Sequence, residues 1–558
     1  MKQGLTKQSY REGESHVGFL NSTIGQAFDR IALQSPDEKA LVVKHQNISW
    51  SYQQYHQEVT QFAAGLIKLN VAPGERVAIW APNCVEWCIA QFATAKIGAV
   101  LVCINPAYQI SELSYALKKV GCKVLITATN FKSNDYLEMI EKIVPELKFC
   151  APGEIVSEHF PLLKSIIQMG NHNRAGMFRF DEVSEYYTEA LIEKVINLSE
   201  ILSPDDAINI QFTSGTTGEP KGATLTHRSI LNNGFQVGEK MRLSPEDKLR
   251  IPVPLYHCFG MVMGNLACIT HGSTAVFPSD SFDPVACLEV INDEQCTALH
   301  GVPTMFIAML NEPKFRQYNL SSLRTGIMAG ALCPIEVIKK VIDDMNMKHV
   351  LIAYGQTETS PVSHMTDIND AIEKRVSTVG KIGPGLEVKV INQCGDIVPI
   401  GEQGEICIRG YAVMKGYWED EQKTKETITE DAWLHSGDLG EMDSDNYLKI
   451  TGRMKDMIIR GGENVYPREI ENFLYTHQSI LDVQVFGIKD TKYGESVCAW
   501  IICKKGRTLT EKEVQDYCRN SISHFKIPEH ISFVSKFPMT VTGKVQKFVM
   551  RNMMEKRH

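Results

Sequence analysis

The sequence predicts a layered α/β protein of more than one domain, and three observations carry that expectation. Strand-like and helix-like segments alternate from about residue 76 to about residue 200, and again from about residue 250 to about residue 358. From about residue 378 the texture changes to short strands separated by Gly/Pro turns. Beyond Asp456 about a hundred residues carry a separate α+β pattern. A chain of 558 residues also exceeds what one core organises. The expected organisation is a polar lead-in over residues 1–21, a large N-terminal domain over 22–453 made of α/β subdomains plus a β-rich subdomain, and a small α+β C-terminal domain over 454–558.

Taken in order, apolar spacing predicts a helix near Ile24–Gln34, a hairpin from Ala40–Val43 and Asn47–Tyr52, and a helix over about Gln53–Leu69. Strands follow at Arg76–Trp80, Val100–Ile104 and Val124–Thr127, with a helix at Glu112–Val120 between the last two. The apolar run from Cys88 to Ile104 is broken by Gln91 and Lys96, so it reads as a helix leading into a strand and not as a membrane span. Residues 150–205 are less regular. Later come a strand at Ala275–Phe277, a helix at Asp283–Asp293, a strand-to-helix turn at Ala298–Pro303, and a helix opened by Pro334 in its first turn. Strands at Glu387–Asn392, Gly404–Gly410 and Tyr447–Ile450 make up the β-rich part. The last unit reads helix Pro467–Thr476, strand Val483–Ile488, strand Ser496–Cys503 and helix Glu511–Asn520.

Composition narrows the function classes. A net charge of −8 gives no basic excess for nucleic acid. The 15 cysteines are scattered with no C-x-x-C pair, which fits free thiols in a reducing cytoplasmic setting better than disulfides or a zinc site. Met1–Val17 has no apolar core for a secretory signal and carries too many acids for a transit peptide. The absence of a transmembrane segment leaves peripheral membrane contact open, and the sequence is silent on oligomeric state.

The stretch with the most chemistry is Thr213, Ser214, Gly215, Thr216, Thr217, Gly218, Glu219, Pro220, Lys221 and Gly222. It follows an apolar-alternating strand, Ala207–Phe212. Glycines let backbone N–H groups turn inward, hydroxyls add donors, and Lys221 adds positive charge, so the composition points to polyphosphate. A Walker A loop ends in Gly-Lys-Ser/Thr, whereas Lys221 lies between Pro220 and Gly222, so this is a phosphate loop of another kind.

Five ordered stretches resemble the adenylate-forming enzymes, the group that includes acyl-CoA synthetases, luciferases and the adenylation domains of peptide synthetases. They are Thr213–Gly222 (TSGTTGEPKG), Tyr354–Glu358 (YGQTE), Ser436–Leu439 (SGDL), Gly452–Glu471 (GRMKDMIIRGGENVYPREIE) and Pro538–Lys547 (PMTVTGKVQK). Together they cover roughly residues 22–550. The stretches Asp206–Phe212 and Ser523–Pro528 are most similar to fatty-acyl-CoA synthetases, especially the medium-chain branch.

The resemblance implies an ATP- and Mg²⁺-dependent ligase that joins a fatty acid to coenzyme A through an acyl-adenylate. It implies the fold of that family, with an AMP-binding N-terminal domain and a C-terminal domain that moves about a hinge near Lys455. The loop from Thr213 to Lys221 would hold the leaving phosphates. Glu358 would hold Mg²⁺, since a hard cation takes carboxylate oxygen, and Thr357 would bond the α-phosphate. Tyr354 would stack on adenine, with the backbone of Gly330 and Ala331 closing the pocket. Asp438 would accept from both ribose hydroxyls, and Arg453 would add a donor to ribose or phosphate. A lysine after a glycine turn ordinarily faces solvent, but the resemblance implies that Lys544 enters the active site for adenylation and is replaced for thioester formation by the turn at Gly461 and Gly462. Where some acetate-type relatives carry an arginine, this chain has Asn464.

The acyl pocket is less defined. Tyr256–Gly260 occupies the stretch that supplies an aspartate in amino-acid-activating relatives, and it contains no acid. His257 would lie near the acyl carboxylate or gate the tunnel. Val302, Pro303, Thr304 and Phe306 line an apolar channel or pack the core; their residue types fit both. Three rival readings are a fatty-acyl-AMP ligase loading a carrier protein, a non-catalytic nucleotide- or acyl-binding relative, and a luciferase-like oxidase. The retained Lys544, Glu358, Asp438 and Arg453 oppose the second, and Ile459, where luciferases carry lysine, opposes the third.

Overall fold

The computed structural model describes residues 8–15, 18–171, 173–213, 219–331, 333–461, 463–519, 521–540 and 544–556. Its frame is two large mixed sheets. One has eight strands in the order Phe178–Arg179, Ser165–Gln168, Val124–Thr127, Arg76–Trp80, Val100–Cys103, Ala207–Thr213, Lys221–Thr226 and Gly416–Tyr417. Its first six strands run parallel, and the last two pair antiparallel. The other has nine strands with a parallel centre at His349–Gly355, Thr325–Ala329, Ala298–Gly301, Lys248–Arg250, Thr274–Phe277 and Lys39–Val43. Antiparallel strands close both of its edges.

These strands read as near-continuous apolar runs because both faces are covered. In Arg76–Trp80 the pleat sends Val77 and Ile79 into the core shared with the second sheet, while Ala78 and Trp80 enter a separate core on the other face. The helix Val85–Ile97 lies in the shared core, buried almost all round, and ends where Gly98 adopts φ +69°. The expected helix-then-strand reading of Cys88–Ile104 therefore holds. So does the helix Ile24–Gln34, whose start is fixed by a reciprocal capping box between Thr23 and Gln26.

A third, five-stranded sheet is antiparallel: Tyr10–Glu12, Leu386–Ile391, Gly404–Gly410, Leu434–Met442 and Leu448–Arg453. Two features depart from the sequence reading. Tyr10–Glu12, within the segment read as a polar lead-in, is an edge strand paired to Leu386–Ile391, and its Tyr10 hydroxyl donates to Glu387 at 2.7 Å. Pro334 is the N-cap of the helix Ile335–Asp344 and not its first-turn residue.

From Ile458 onward the chain builds its own sheet. Ile458–Arg460, Glu463–Val465, Ile480–Asp490, Gly494–Cys503 and His530–Phe533 pack with helices Pro467–Leu474, Glu511–Arg519 and Lys547–Glu555. Ile458, Ile470, Leu474, Val485, Val497 and Ile501 fill one face, and Phe486, Trp500, Phe537 and Met550 the other. All 15 cysteines are free thiols.

Three interior histidines make the fold acid-sensitive. His227 accepts the Ile24 N–H at 3.1 Å through Nδ1, so it needs a neutral ring there. Burial pushes His227 and His300 down to about 4 and His364 down to about 3. The unfolded chain protonates such rings below about pH 6.5, whereas the folded chain resists until about pH 4. In that window the unfolded state binds more protons, so stability falls as pH falls. The melting temperature should therefore drop on acidification from about pH 7 to about pH 5, as followed by differential scanning fluorimetry; a flat profile would contradict the buried-neutral assignment.

Candidate active site

The three N-terminal sheets meet at a cleft, and the chain's charged motif residues stand around it. Tyr354 is the penultimate residue of the strand His349–Gly355 and donates its hydroxyl to Asp438 Oδ2 at 2.8 Å. Asp438 lies on Leu434–Met442 and is 4% exposed. Its other oxygen accepts from Arg453 Nε at 2.8 Å, and Arg453 is the last residue of the neighbouring strand. Asp438 in turn raises the Arg453 pKa, and burial together with Asp438 lifts the Tyr354 phenol well above its usual range. A carboxylate accepts only, and each of its two oxygens is held by one of these donors.

Glu358 follows in the short 3₁₀ turn Thr357–Thr359, whose Thr357 is buried. Tyr417 donates to Glu358 Oε1 at 2.8 Å, and Thr213 does so at 3.4 Å. The Lys221 ammonium lies 4.8 Å from the Tyr417 ring centroid. Thus the two ends of the predicted phosphate loop, Thr213 and Lys221, face the Glu358 turn. Ser214, Gly215, Thr216, Thr217 and Gly218 lie outside the described residues; Glu219 and Pro220 lead into the strand Lys221–Thr226.

Gly330 follows the strand Thr325–Ala329 with φ +84°, a conformation that disfavours a side chain. A Cβ there would sit 3.2 Å from Val302 and 3.9 Å from Lys544 Cε, so Lys544 is brought against the Gly330 turn. Ala331 next to it is exposed. Lys544 is held beside Thr540 by mutual bonds at 2.8 and 3.0 Å, next to the Met539–Val545 bridge. The residue as a whole is solvent-accessible, but its side chain enters a crowded region. Desolvation and the Arg453 charge lower its pKa, opposed by Asp438 and Glu358.

His257 caps the turn Cys258–Gly260 by accepting the Phe259 N–H at 3.2 Å. Burial and the Lys544 charge push it down to about 3, so it is a neutral acceptor and not a cation. The turn is held to the strand that leads into the phosphate loop, since Gln211 Oε1 accepts the Cys258 N–H at 3.1 Å. After it, Met261–Leu266 forms a buried π-helical turn. Of the channel residues, Val302 borders the Gly330 turn, whereas Phe306 is fully buried among Leu288, Met309 and Met328 and is core.

Gly461 is not brought to this cleft. It has φ +61° and donates to the Tyr493 carbonyl at 2.8 Å within the C-terminal unit. Gly462 lies outside the described residues. Sequence reasoning missed Tyr417, which links Lys221 to Glu358, and Gln211, which ties the His257 turn to the loop strand. Neither carries a local signal: Tyr417 sits in a two-residue strand, and Gln211 reads as one polar position in an apolar alternation.

Comparison with known proteins gives the family. Residues 28–418 match the AMP-binding enzyme family, and residues 469–544 match its C-terminal domain. The chain is 47% identical over 537 residues to YngI of Bacillus subtilis (strain 168), covering 95% of this chain and 97% of that one. It is 43% identical over 552 residues to the mitochondrial medium-chain acyl-CoA ligase ACSF2 of Bos taurus, covering 98% and 90%. The crystal structure of the anthranilate CoA ligase AuaEII with anthranoyl-AMP superposes with a TM-score of 0.85 at 25% identity, covering 96% of this chain and 98% of that chain. By family match and by fold, this chain belongs to the AMP-binding, adenylate-forming enzymes.

Proposed function

We propose that the protein is an AMP-forming fatty acid–CoA ligase acting on medium-chain acids. The observation that carries the reading is the joint placement of Lys544 against Gly330 with the Tyr354–Asp438–Arg453 set beside it. The first step joins a carboxylate oxygen to the α-phosphorus of ATP and breaks the α–β bridge, so pyrophosphate leaves. Two anions must approach, and positive charge must be ready where they meet. Lys544 would supply it at the α-phosphate and acyl carboxylate, while Lys221 would hold the leaving phosphates. Asp438 would accept from the ribose hydroxyls. Tyr354, Gly330 and Ala331 would border the adenine, and Thr357 would bond the α-phosphate. In the second step the CoA sulfur attacks the acyl carbonyl carbon, the bond to the phosphate oxygen breaks, and AMP leaves.

Mg²⁺ fits the residues present. The Tyr417 and Thr213 hydrogen bonds to Glu358 both fall on Oε1, which leaves Oε2 as a hard oxygen donor for a cation. Bound there, the ion would neutralise phosphate charge. Glu358 would hold it, with the carboxylate oriented by the Tyr417 hydrogen bond.

The C-terminal unit from residue 454 would turn about Lys455 between the steps, withdrawing Lys544 and presenting Gly461 and Gly462 to the CoA thiol. Burial and the charges of Lys221, Arg453 and Lys423 lower the Lys455 pKa, and this proximity to other cations supports a hinge at the edge of the site. The name of the bovine relative supports the medium-chain acid, and the acid-free Tyr256–Gly260 stretch opposes an amino-acid substrate. Free thiols throughout fit a reducing compartment; we place the protein in the cytoplasm, although the bovine relative is named as mitochondrial. Among the described residues no helix is long and apolar enough to cross a membrane.

A chain-length scan of CoA-dependent AMP production tests the substrate. A maximum at medium-chain acids is expected, and equal or greater rates with acetate or amino acids would overturn it. Lys544→Ala should lower carboxylate-dependent pyrophosphate release by about 10²–10³ or more, while thioester formation from supplied acyl-AMP stays near wild type. Equal loss of both steps would count against domain alternation. Tyr417→Phe removes a hydrogen bond to a carboxylate and should lower kcat/KM for MgATP by about 10-fold or more, with a raised Mg²⁺ requirement; an unchanged Mg²⁺ dependence would remove Tyr417 from this role.

A further inference from the structure

The turn that carries Asp438 is not an ordinary strand segment. Gly404 pairs with Gly440 and Glu405 with Leu439, but the next pair is Cys407 with His435. Ile406 alone therefore faces three residues, Ser436, Gly437 and Asp438, which bulge out of this ladder, while on the other side Asp438 stays paired with Arg453. Bulges of this kind re-aim a side chain, and they leave backbone donors without their ladder partners. Gly437 has φ +69°, and the Asp438 N–H is taken by the Ser436 hydroxyl at 3.1 Å. The Gly437 N–H is taken by a side chain from the opposite strand, Glu405 Oε1, at 3.1 Å. The second oxygen of Glu405 is 2.8 Å from His435 Nδ1, on the residue immediately before the bulge.

We propose that Glu405 is the positioning residue of the nucleotide's ribose anchor. Its carboxylate spans the gap opened by the bulge, fixes the Gly437 peptide, and so sets the direction in which Asp438 leaves the sheet. His435 holds Glu405 from the other side. With Cys407 the pair brings three metal-capable atoms within 4.8 Å of one another, the one such cluster among the described residues. Both oxygens of Glu405 already have protein partners, which favours a strut over a metal ligand. The inference rests on the proposed role of Asp438 in binding ribose.

The test is the preference for ATP over 2′-deoxy-ATP, taken as the ratio of kcat/KM values in carboxylate-dependent pyrophosphate release. Because both nucleotides are run on one preparation, loss of folded protein cancels from the ratio. A site built to bond a hydroxyl should favour ATP by about 10-fold or more. Asp438→Ala should collapse that preference to within about 3-fold, which measures the anchor itself. Glu405→Asp keeps the charge but is one methylene too short for the Gly437 N–H, and it should collapse the preference similarly. Glu405→Gln keeps an acceptor for Gly437 and a partner for His435, and it should retain the preference. If the wild type shows no preference, or Asp438→Ala keeps it, the ribose reading fails and this inference with it. If those two behave as stated while Glu405→Asp keeps the full preference, or Glu405→Gln loses it, the role of Glu405 alone is overturned.

Discussion

The Asp438 carboxylate is the contact on which the arrangement of the cleft depends. It is nearly buried, so its charge requires donors. One oxygen takes Tyr354 from the nine-stranded sheet, and the other takes Arg453 from its own sheet. The pair thus ties two sheets together at the point where the chain leaves for the C-terminal unit. The Arg453 side chain remains 61% exposed, so Coulomb attraction there is screened and contributes little to stability by itself. What the pair provides is direction: the carboxylate is held by a neutral and a charged donor, one on each oxygen. Removing either donor leaves a desolvated carboxylate short of partners, a costly state.

Around this anchor the cleft gathers an excess of cations. Lys221, Arg453, Lys455 and Lys544 converge on Glu358 and Asp438 in a chain whose overall charge is −8. Desolvation first, and then repulsion from neighbouring cations, lowers the pKa of Lys455 and of Lys544. A bound polyphosphate relieves that repulsion, which gives the site a physical preference for a multiply charged anion before any specific contact is counted. Neutral His257 fits the same balance: a second cation beside Lys544 would be unfavourable, and its ring serves as a hydrogen-bond acceptor in the turn that borders the cleft.

Much of this was legible in the sequence because the local signals and the long-range ones agree. The alternating apolar runs pointed to the two large sheets, since strands buried on both faces look alike wherever they occur. Tyr354, Glu358, Asp438, Arg453 and Lys544 could be named because each lies in a short motif that resembles a family pattern. The parts that were not legible are those in which distance along the chain carries the meaning. Tyr10–Glu12 is polar and short, and only its pairing with a strand more than 370 residues later makes it structure. Tyr417 gains its role from Glu358 and Lys221, neither of them local to it. Glu405 matters because the opposite strand bulges, and a one-dimensional pattern does not show that register. Phe306 could be read as channel lining or core, and its full burial within the cluster that holds Leu288 and Met328 favours core.

The chemistry proposed for the cleft that Lys544 enters is attack of a carboxylate oxygen on the α-phosphorus, and following that oxygen tests it without relying on any variant. A fatty acid labelled with ¹⁸O in both carboxylate positions is turned over with ATP and CoA, and the products are separated and weighed by mass spectrometry. One ¹⁸O is expected in AMP and none in pyrophosphate, because the bridging carboxylate oxygen stays on the α-phosphate when the thiol displaces AMP. Label in pyrophosphate or orthophosphate, or thioester formation with unlabelled AMP, would contradict it.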